Sequence, residues 1–152
     1  MVIQLRDIFE IPGESRDFEF DITPEETSYL KQFTFSNPVH VKGTVRNKSG
    51  IVMLKYEADF VLNHECDRCL VPFKREYHYE FEHNLVHSLA NEDDIAYDTY
   101  IVAEKDHIDL NDTVLSDILP ALPSKFLCRE DCKGLCFICG CNLNEEECDC
   151  QK

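Results

Sequence analysis

Nine cysteines in a chain of 152 residues constrain this protein more than any other feature, because six of them crowd into one stretch. That stretch, CKGLCFICGCNLNEEECDC, fills residues 132–150; the remaining three are Cys66, Cys69 and Cys128. An odd count leaves one thiol outside any complete set of disulfides. The chain starts MVIQLRDIFEIPGESRD, without the basic head and apolar run of a secretory signal. No segment approaches the roughly 20 apolar residues of a membrane helix. The expectation is a cytoplasmic, non-membrane chain whose thiols stay reduced. Metal ligation then becomes the best use for so many sulfurs.

Spacing sharpens this. Cys66 and Cys69 form the C-x2-C of CDRC, and Cys136 and Cys139 form that of CFIC, followed at once by Gly140. Cys128 and Cys132 are C-x3-C, and Cys148 and Cys150 are C-x-C. Pairs this close can bind one ion from a single tight turn, and a glycine after the second cysteine lets backbone N–H groups turn toward sulfur. The grouping preferred on loop-closure grounds is Cys136, Cys139, Cys148 and Cys150 for one site, all within fifteen residues. Cys66, Cys69, Cys128 and Cys132 then form a second site that staples the tail to the body. Spacing alone also permits crossed sets, such as Cys66 and Cys69 with Cys136 and Cys139. Four thiolates with no open position suit structural Zn2+ rather than catalysis. An iron–sulfur cluster uses the same ligand count. A redox dithiol needs a helix start after a strand, which neither C-x2-C has. Cys141 is left over and is expected to be a buried free cysteine.

The body reads as sheet. In VHVKGTVR, Val39, Val41 and Val45 share one face, opposite His40, Lys42, Thr44 and Arg46. After the turn NKSG, Val52, Leu54, Tyr56, Ala58, Phe60 and Leu62 alternate with polar positions. After CDRCL, Phe73, Tyr77, Tyr79, Phe81 and Leu85 do the same. Period two over three consecutive segments predicts antiparallel strands with one wet face, and it puts CDRC at a hairpin tip. FEFDI (18–22), FTF (33–35) and TYIVA (99–103) are shorter expected strands, and SLANEDDIAYD (88–98) an acidic loop. The period changes at DLNDTVLSDILPALP. There Leu110, Val114, Leu115, Ile118 and Leu119 make a helical stripe, Asp109 can cap it, and Pro120 marks its end region. The fold class expected is α+β: an antiparallel β-meander or partly closed barrel with one main helix and a C-terminal cysteine-rich zinc-binding tail. The body spans 1–127, with the knuckle at 66–69 and the helix near 110–119; the tail spans 128–152. Only Leu135, Phe137, Ile138 and Leu143 offer apolar burial in that tail, so metal must substitute for a core there.

A net charge of −15 argues against nonspecific nucleic-acid binding by the whole surface. One region runs the other way. Between Asn37 and Tyr56 there is no acidic residue, while Lys42, Arg46, Lys48 and Lys55 occur. These four are the candidate nucleic-acid contacts; the alternative is an ordinary solvated face. No Ser–His–Asp signature, glycine-rich phosphate loop or H-E-x-x-H is present. No catalytic residue and no small-molecule substrate are expected.

CDRCL after a long strand, an Asp–Leu-started helix running into LPALP, and CKGLCFICGCNLNEEECDC together resemble the YceD family, and the Pro12–Gly13 turn ahead of FEF fits as well. These are bacterial and plastid proteins linked to accumulation of large-subunit ribosomal RNA. In family forms with the C-terminal cysteine block, positions matching Cys136, Cys139, Cys148 and Cys150 belong to the pattern, and that of Cys141 is usually not cysteine. Other members lack most of this tail. The resemblance implies no reaction. It implies a role in ribosome assembly or rRNA stability, through large-subunit rRNA or a large-subunit ribosomal protein. Two other functions fit the residues: an acidic adaptor that binds basic proteins without touching RNA, and a thiol-based redox or metal-sensing protein.

Overall fold

The computed structural model describes residues 1–23, 33–87 and 100–150. Three long strands dominate it: β4 (Val39–Lys48), β5 (Ile51–Glu65) and β6 (Pro72–Val86), paired antiparallel in sequence order. Alternation places the apolar sets as the sequence predicts. Val39, Val41, Val45, Val52, Leu54, Tyr56, Ala58, Phe60, Leu62, Tyr77 and Leu85 are buried on one face. Lys42, Arg46 and Lys55 are exposed on the other. A two-residue turn joins β4 to β5, with Ser49 at φ 56° and Gly50 at φ 91°, the double positive φ whose twist suits a hairpin.

On one side, β2 (Ser15–Ile22) pairs antiparallel with β4. Position 43 lies between Val41 and Val45 on the core face and must be glycine. A Cβ there would stand 2.3 Å from the Lys55 carbonyl oxygen and 2.8 Å from the Phe18 ring. Beyond β4, the short β3 (Thr34–Phe35) takes over pairing with the far half of β5. At the other edge, β7 (Tyr100–Val102) lies parallel to the end of β6. The strand order is β2-β4-β5-β6-β7, and the sheet does not close into a barrel. The meander reading therefore holds for the long strands, and the partly closed barrel does not. The parallel edge departs from the all-antiparallel expectation, because alternation reports which face is buried but not which way a neighbouring strand runs. The expected acidic loop at 88–98 lies outside the described residues.

Three elements that the sequence reading missed complete the body: β1 (Val2–Gln4), the short helix α1 (Arg6–Glu10) and β8 (His107–Asp109), with β1 and β8 forming a two-stranded ribbon. Each is too short to show a period. Asn47 ties α1 down: its side-chain amide donates to the Ile8 carbonyl at 2.7 Å, while its own carbonyl accepts from the Gly50 N–H at 2.8 Å. Helix α2 (Leu110–Ala121) follows β8, and the Asp109 side chain caps it by accepting from the Asn111 N–H at 2.9 Å. Leu110, Val114, Leu115 and Ile118 are fully covered, each worth about 1.5–3 kcal/mol of burial. The helix runs past Pro120, whose missing N–H falls in the last turn, where Leu122 still donates to Ile118. Among the described residues no helix is long and apolar enough to cross a membrane.

Candidate metal centres

The first cysteine cluster is built where the β5–β6 hairpin meets the chain returning from α2. At the hairpin tip, the Cys66 N–H donates to Val71 at 3.0 Å and the Leu70 N–H to Cys66 at 2.9 Å. Leu70 takes φ 59°, which closes the CDRC turn with both thiols on one side. The returning chain is clamped to that tip by polar contacts. Asp67 exchanges hydrogen bonds with the Phe126 backbone, donating its N–H to the carbonyl at 2.8 Å and accepting from the N–H at 2.7 Å. Arg75 donates to the Leu127 carbonyl and Arg68 to that of Cys132, both at 2.8 Å. The result brings Cys66 Sγ to 3.7 Å from Cys132 Sγ, and Cys69 Sγ to 3.6 Å from Cys128 Sγ. Phe73, Leu127 and Leu135 pack around this cluster, and Cys66, Cys69 and Cys132 are buried.

The second cluster is local. The CFIC turn is closed by the Gly140 N–H donating to Cys136 at 2.8 Å, with Gly140 at φ 76°. Leu135 pairs with Asn142 across it. Cys148 Sγ lies 3.3 Å from Cys136 Sγ and 3.5 Å from Cys139 Sγ. The N–H groups of Ile138 and Cys150 point at the sulfurs of Cys136 and Cys148, both at 3.4 Å. Here Cys139 and Cys150 are exposed.

The ligand atoms of Cys66, Cys69, Cys128 and Cys132 lie within 4.8 Å of one another, as do those of Cys136, Cys139, Cys148 and Cys150. The grouping preferred from sequence is thus the one the fold assembles, and the crossed sets are not. Disulfide sulfurs would stand about 2.05 Å apart. Four sulfurs around one ion at about 2.3 Å stand about 3.8 Å apart, close to the 3.3–3.7 Å found here. Electrostatics agree. Burial pushes the Cys66 thiol up, but backbone donors at Cys128, Arg68 and Cys69 outweigh it and leave the group at about 6. Burial and the neighbouring thiols push Cys128 up to about 12. In the tail, the Cys141 backbone donor leads in drawing Cys139 down to about 6, while the Cys148 and Cys139 thiols push Cys150 up to about 12. Each set thus holds sulfurs that ionise readily, Cys66 in the first and Cys136 with Cys139 in the second, beside others that resist. A cation among them removes that resistance, so both sets can hold metal ions.

The two clusters touch. The Asn144 amide donates to Cys132 Sγ at 3.3 Å, while its carbonyl accepts from the Lys133 N–H at 2.8 Å. Gly134, at φ 79°, lets the tail cross the knuckle, since a Cβ there would meet the Arg68 carbonyl at 3.0 Å. Neither Asn144 nor Gly134 carries a signal in sequence, because neither is part of a spaced pattern.

The cationic candidates fare differently from one another. Strand pairing sets Lys42 opposite Glu57 and Lys55 opposite Glu82, with Nζ–O distances of 3.0 and 2.6 Å. The region is acid-free along the chain but not across the sheet. Arg46 and Lys48 form no ion pair among the described residues; with Lys55 they line a shallow hollow over Thr44 and Met53. Lower on the same face, Glu57, Asp59 and His78 also bring ligand atoms within 4.8 Å. That set is already engaged by Lys42 on Glu57 and by a 2.6 Å bond between Asp59 and His78 Nδ1.

Two polar clusters anchored on the core face went unseen in the sequence. Tyr56 donates to Asp117, which also meets His83 Nε2 at 2.6 Å, tying α2 to the sheet. His64 contacts the Tyr77 hydroxyl at 3.0 Å and stacks on Phe126 at 3.8 Å, and burial lowers its pKa. The signal for both existed in the alternation. Positions 56 and 64 fall on the core face, where a polar tip must find a partner.

The family model for the large ribosomal RNA subunit accumulation protein YceD matches residues 54–152, covering β5 from Leu54 onward, the knuckle, α2 and both cysteine clusters. The chain belongs to the YceD family. Comparison with curated proteins and with solved structures gives no match. The family description ties the chain to accumulation of large-subunit ribosomal RNA. The matched segment begins after β4, so Lys42, Arg46 and Lys48 lie outside it.

Proposed function

We propose that this chain is a zinc-stapled, non-enzymatic accessory factor for the large ribosomal subunit, acting in the cytoplasm through contact with large-subunit rRNA. The carrying observation is the pair of closed four-thiol sets in a chain of this family. Four thiolates around one Zn2+ leave no position for a substrate or an activated water, so the metal holds structure. Short sulfur–sulfur distances favour a single ion over an iron–sulfur cluster, whose thiolates bind separate irons and stand farther apart. Residues 1–127 form the body, and residues 128–152 a tail that the first set fastens to it. The rRNA contact falls on Lys42, Arg46, Lys48 and Lys55, with Arg46 and Lys48 contributing most because Glu57 and Glu82 already engage the other two.

Those same ion pairs favour a second reading, an acidic adaptor that holds a basic ribosomal protein. Two Zn2+ ions on eight thiolates would take the net charge from −15 to about −19, which suits a cationic partner. Purification of tagged protein from its host at two salt concentrations separates the readings. Direct rRNA contact gives large-subunit rRNA that falls away steeply with salt and is lost in an Arg46→Gln/Lys48→Gln variant. Recovery of a basic ribosomal protein that survives nuclease and is unaffected by the variant would replace the first reading with the second.

A further inference from the structure

Both cysteine turns carry large apolar side chains on the outside. In the tail, Phe137 is 81% and Ile138 59% exposed; at the body hairpin tip, Leu70 is 61% exposed and Val71 is exposed as well. A tail with so few apolar residues should turn its phenylalanine inward, and only Leu135 does so, packing on the body cluster. The turns are not loose. The Gly140 N–H donates to the Cys136 carbonyl at 2.8 Å in one, and the Leu70 N–H to the Cys66 carbonyl at 2.9 Å in the other. They also meet. The Leu135 N–H donates to the Arg68 carbonyl at 3.1 Å, and a Cβ on Gly134 would stand 3.0 Å from that same oxygen. From this contact, Leu70 and Val71 follow Arg68 by two and three residues, as Phe137 and Ile138 follow Leu135. Apolar side chains held out on two joined, hydrogen-bonded turns are unfavourable in water and mark a surface that a partner covers.

Charge selects the partner. Residues 128–150 hold six acidic and two basic residues, and one of the basic pair, Arg129, is engaged by Asp131 at 3.5 Å. Glu145, Glu146 and Glu147 form an exposed run. That run is fastened to the tail turn, because the Asn142 carbonyl accepts from the Glu145 and Glu146 N–H groups, both at 3.0 Å, and Asn142 pairs with Leu135. Such a frame repels phosphate and attracts cationic side chains. We propose that the two cysteine turns form a docking surface for a lysine- and arginine-rich segment of a partner protein. The segment's apolar side chains cover Phe137, Ile138 and Leu70, and its cations face Glu145, Glu146 and Glu147. The surface adjoins the knuckle end of β5, whereas Arg46 and Lys48 lie by its first residue, so this contact and the rRNA contact do not compete for space. The choice of probes rests on the large-subunit reading.

The test uses the full-length chain against two kinds of probe: the basic proteins of the host's large ribosomal subunit, each purified free of RNA, and large-subunit rRNA fragments. At least one of the proteins should bind wild type. Phe137→Ser/Ile138→Ser should weaken that binding by about 10-fold or more, the effect of losing an anchor residue. Leu70→Asn repeats the test away from the tail ligands, with a residue that tolerates the φ of 59° found there. Glu145→Gln/Glu146→Gln/Glu147→Gln should slow association and flatten its salt dependence. Metal content and circular dichroism check that each variant stays folded, and Arg46→Gln/Lys48→Gln should leave protein binding intact. If no basic protein binds wild type, or if both apolar variants bind as wild type does, the docking surface is overturned. Loss of rRNA binding in the apolar variants overturns it too, making Phe137 a stacking platform for an unpaired base. Protein binding without any rRNA binding keeps this inference and removes the rRNA reading; rRNA binding without protein binding does the reverse.

Discussion

The two cysteine centres hold sulfurs at similar separations but are assembled from opposite materials. The body centre joins residues 66 and 59 positions apart in sequence, sits among Phe73, Leu127 and Leu135, and has three of its four thiols buried. The tail centre joins residues 12 and 9 positions apart, and beside it Phe137 and Ile138 stand 81% and 59% exposed. At the body centre, an ion would reinforce contacts that hydrogen bonds and packing already make. In the tail, an ion would be the main reason the segment has a shape at all. A long closure is expensive for an unfolded chain and a short one is cheap, so loss of the body centre should disturb the whole molecule and loss of the tail centre only its end.

The largest effect expected is therefore at Cys66. Cys66→Ser should remove one metal equivalent and release residues 126–150 from the hairpin, lowering stability by more than about 4 kcal/mol. Cys136→Ser should also remove one equivalent, but it should leave the main thermal transition close to wild type and open only the tail to proteolysis. Melting curves with metal analysis on both variants decide the point. Equal losses in the main transition would erase the distinction between the centres.

A smaller effect sharpens how far they are independent. Asn144 belongs to the tail, yet its amide reaches Cys132 Sγ of the body centre. Asn144→Ala should cost about 1 kcal/mol, with faster amide exchange at Lys133, whose N–H loses its acceptor. Unchanged protection at Lys133 would mean that the centres are joined by the chain alone.

The smallest effect concerns acid. Protons compete with metal for thiolates, so an ion held by either cysteine set would bind more weakly as pH falls. The wet face of the sheet should respond with the opposite sign. A hydrogen bond to Asp59, opposed by desolvation and helped by the Asp59 charge, a hydrogen bond to Glu80 and the charge of Glu57, raises the His78 pKa above its ordinary value. A raised folded-state pKa gives stability that is complete below the unfolded value of about 6.5 and disappears as pH rises through the folded value. In an NMR titration, Asp59→Asn should return the His78 midpoint toward its ordinary value. No movement of that midpoint would remove Asp59 as the cause.

What could be read in advance follows from which physical rules act over short stretches. Alternation in β4, β5 and β6 and the helical stripe of α2 were legible because burial repeats with the period of the element. The cysteine pairs were legible because closely spaced cysteines must share a turn, whereas which pairs come together is set by the fold, since spacing also permitted crossed sets. The parallel seat of β7, the ribbon of β1 and β8, and the Asn144 bridge depend on segments distant in sequence. The basic stretch shows the same limit. It has no acid for many residues along the chain, yet two of its lysines meet Glu57 and Glu82, since strand partners are set by register rather than by proximity in sequence.

The length of β5 has one more consequence. Its fifteen residues run from the turn beside Arg46 and Lys48 to the edge of the CDRC knuckle, and at about 3.3 Å per residue a strand of that length spans roughly 45–50 Å. The cationic hollow and the body centre thus mark opposite ends of one continuous rod, paired along its length by β6 and braced by β4 and β3. A particle surface that engaged both ends would be gauged by a spacer of set length, and any partner that shifted one contact relative to the other would have to release one of them.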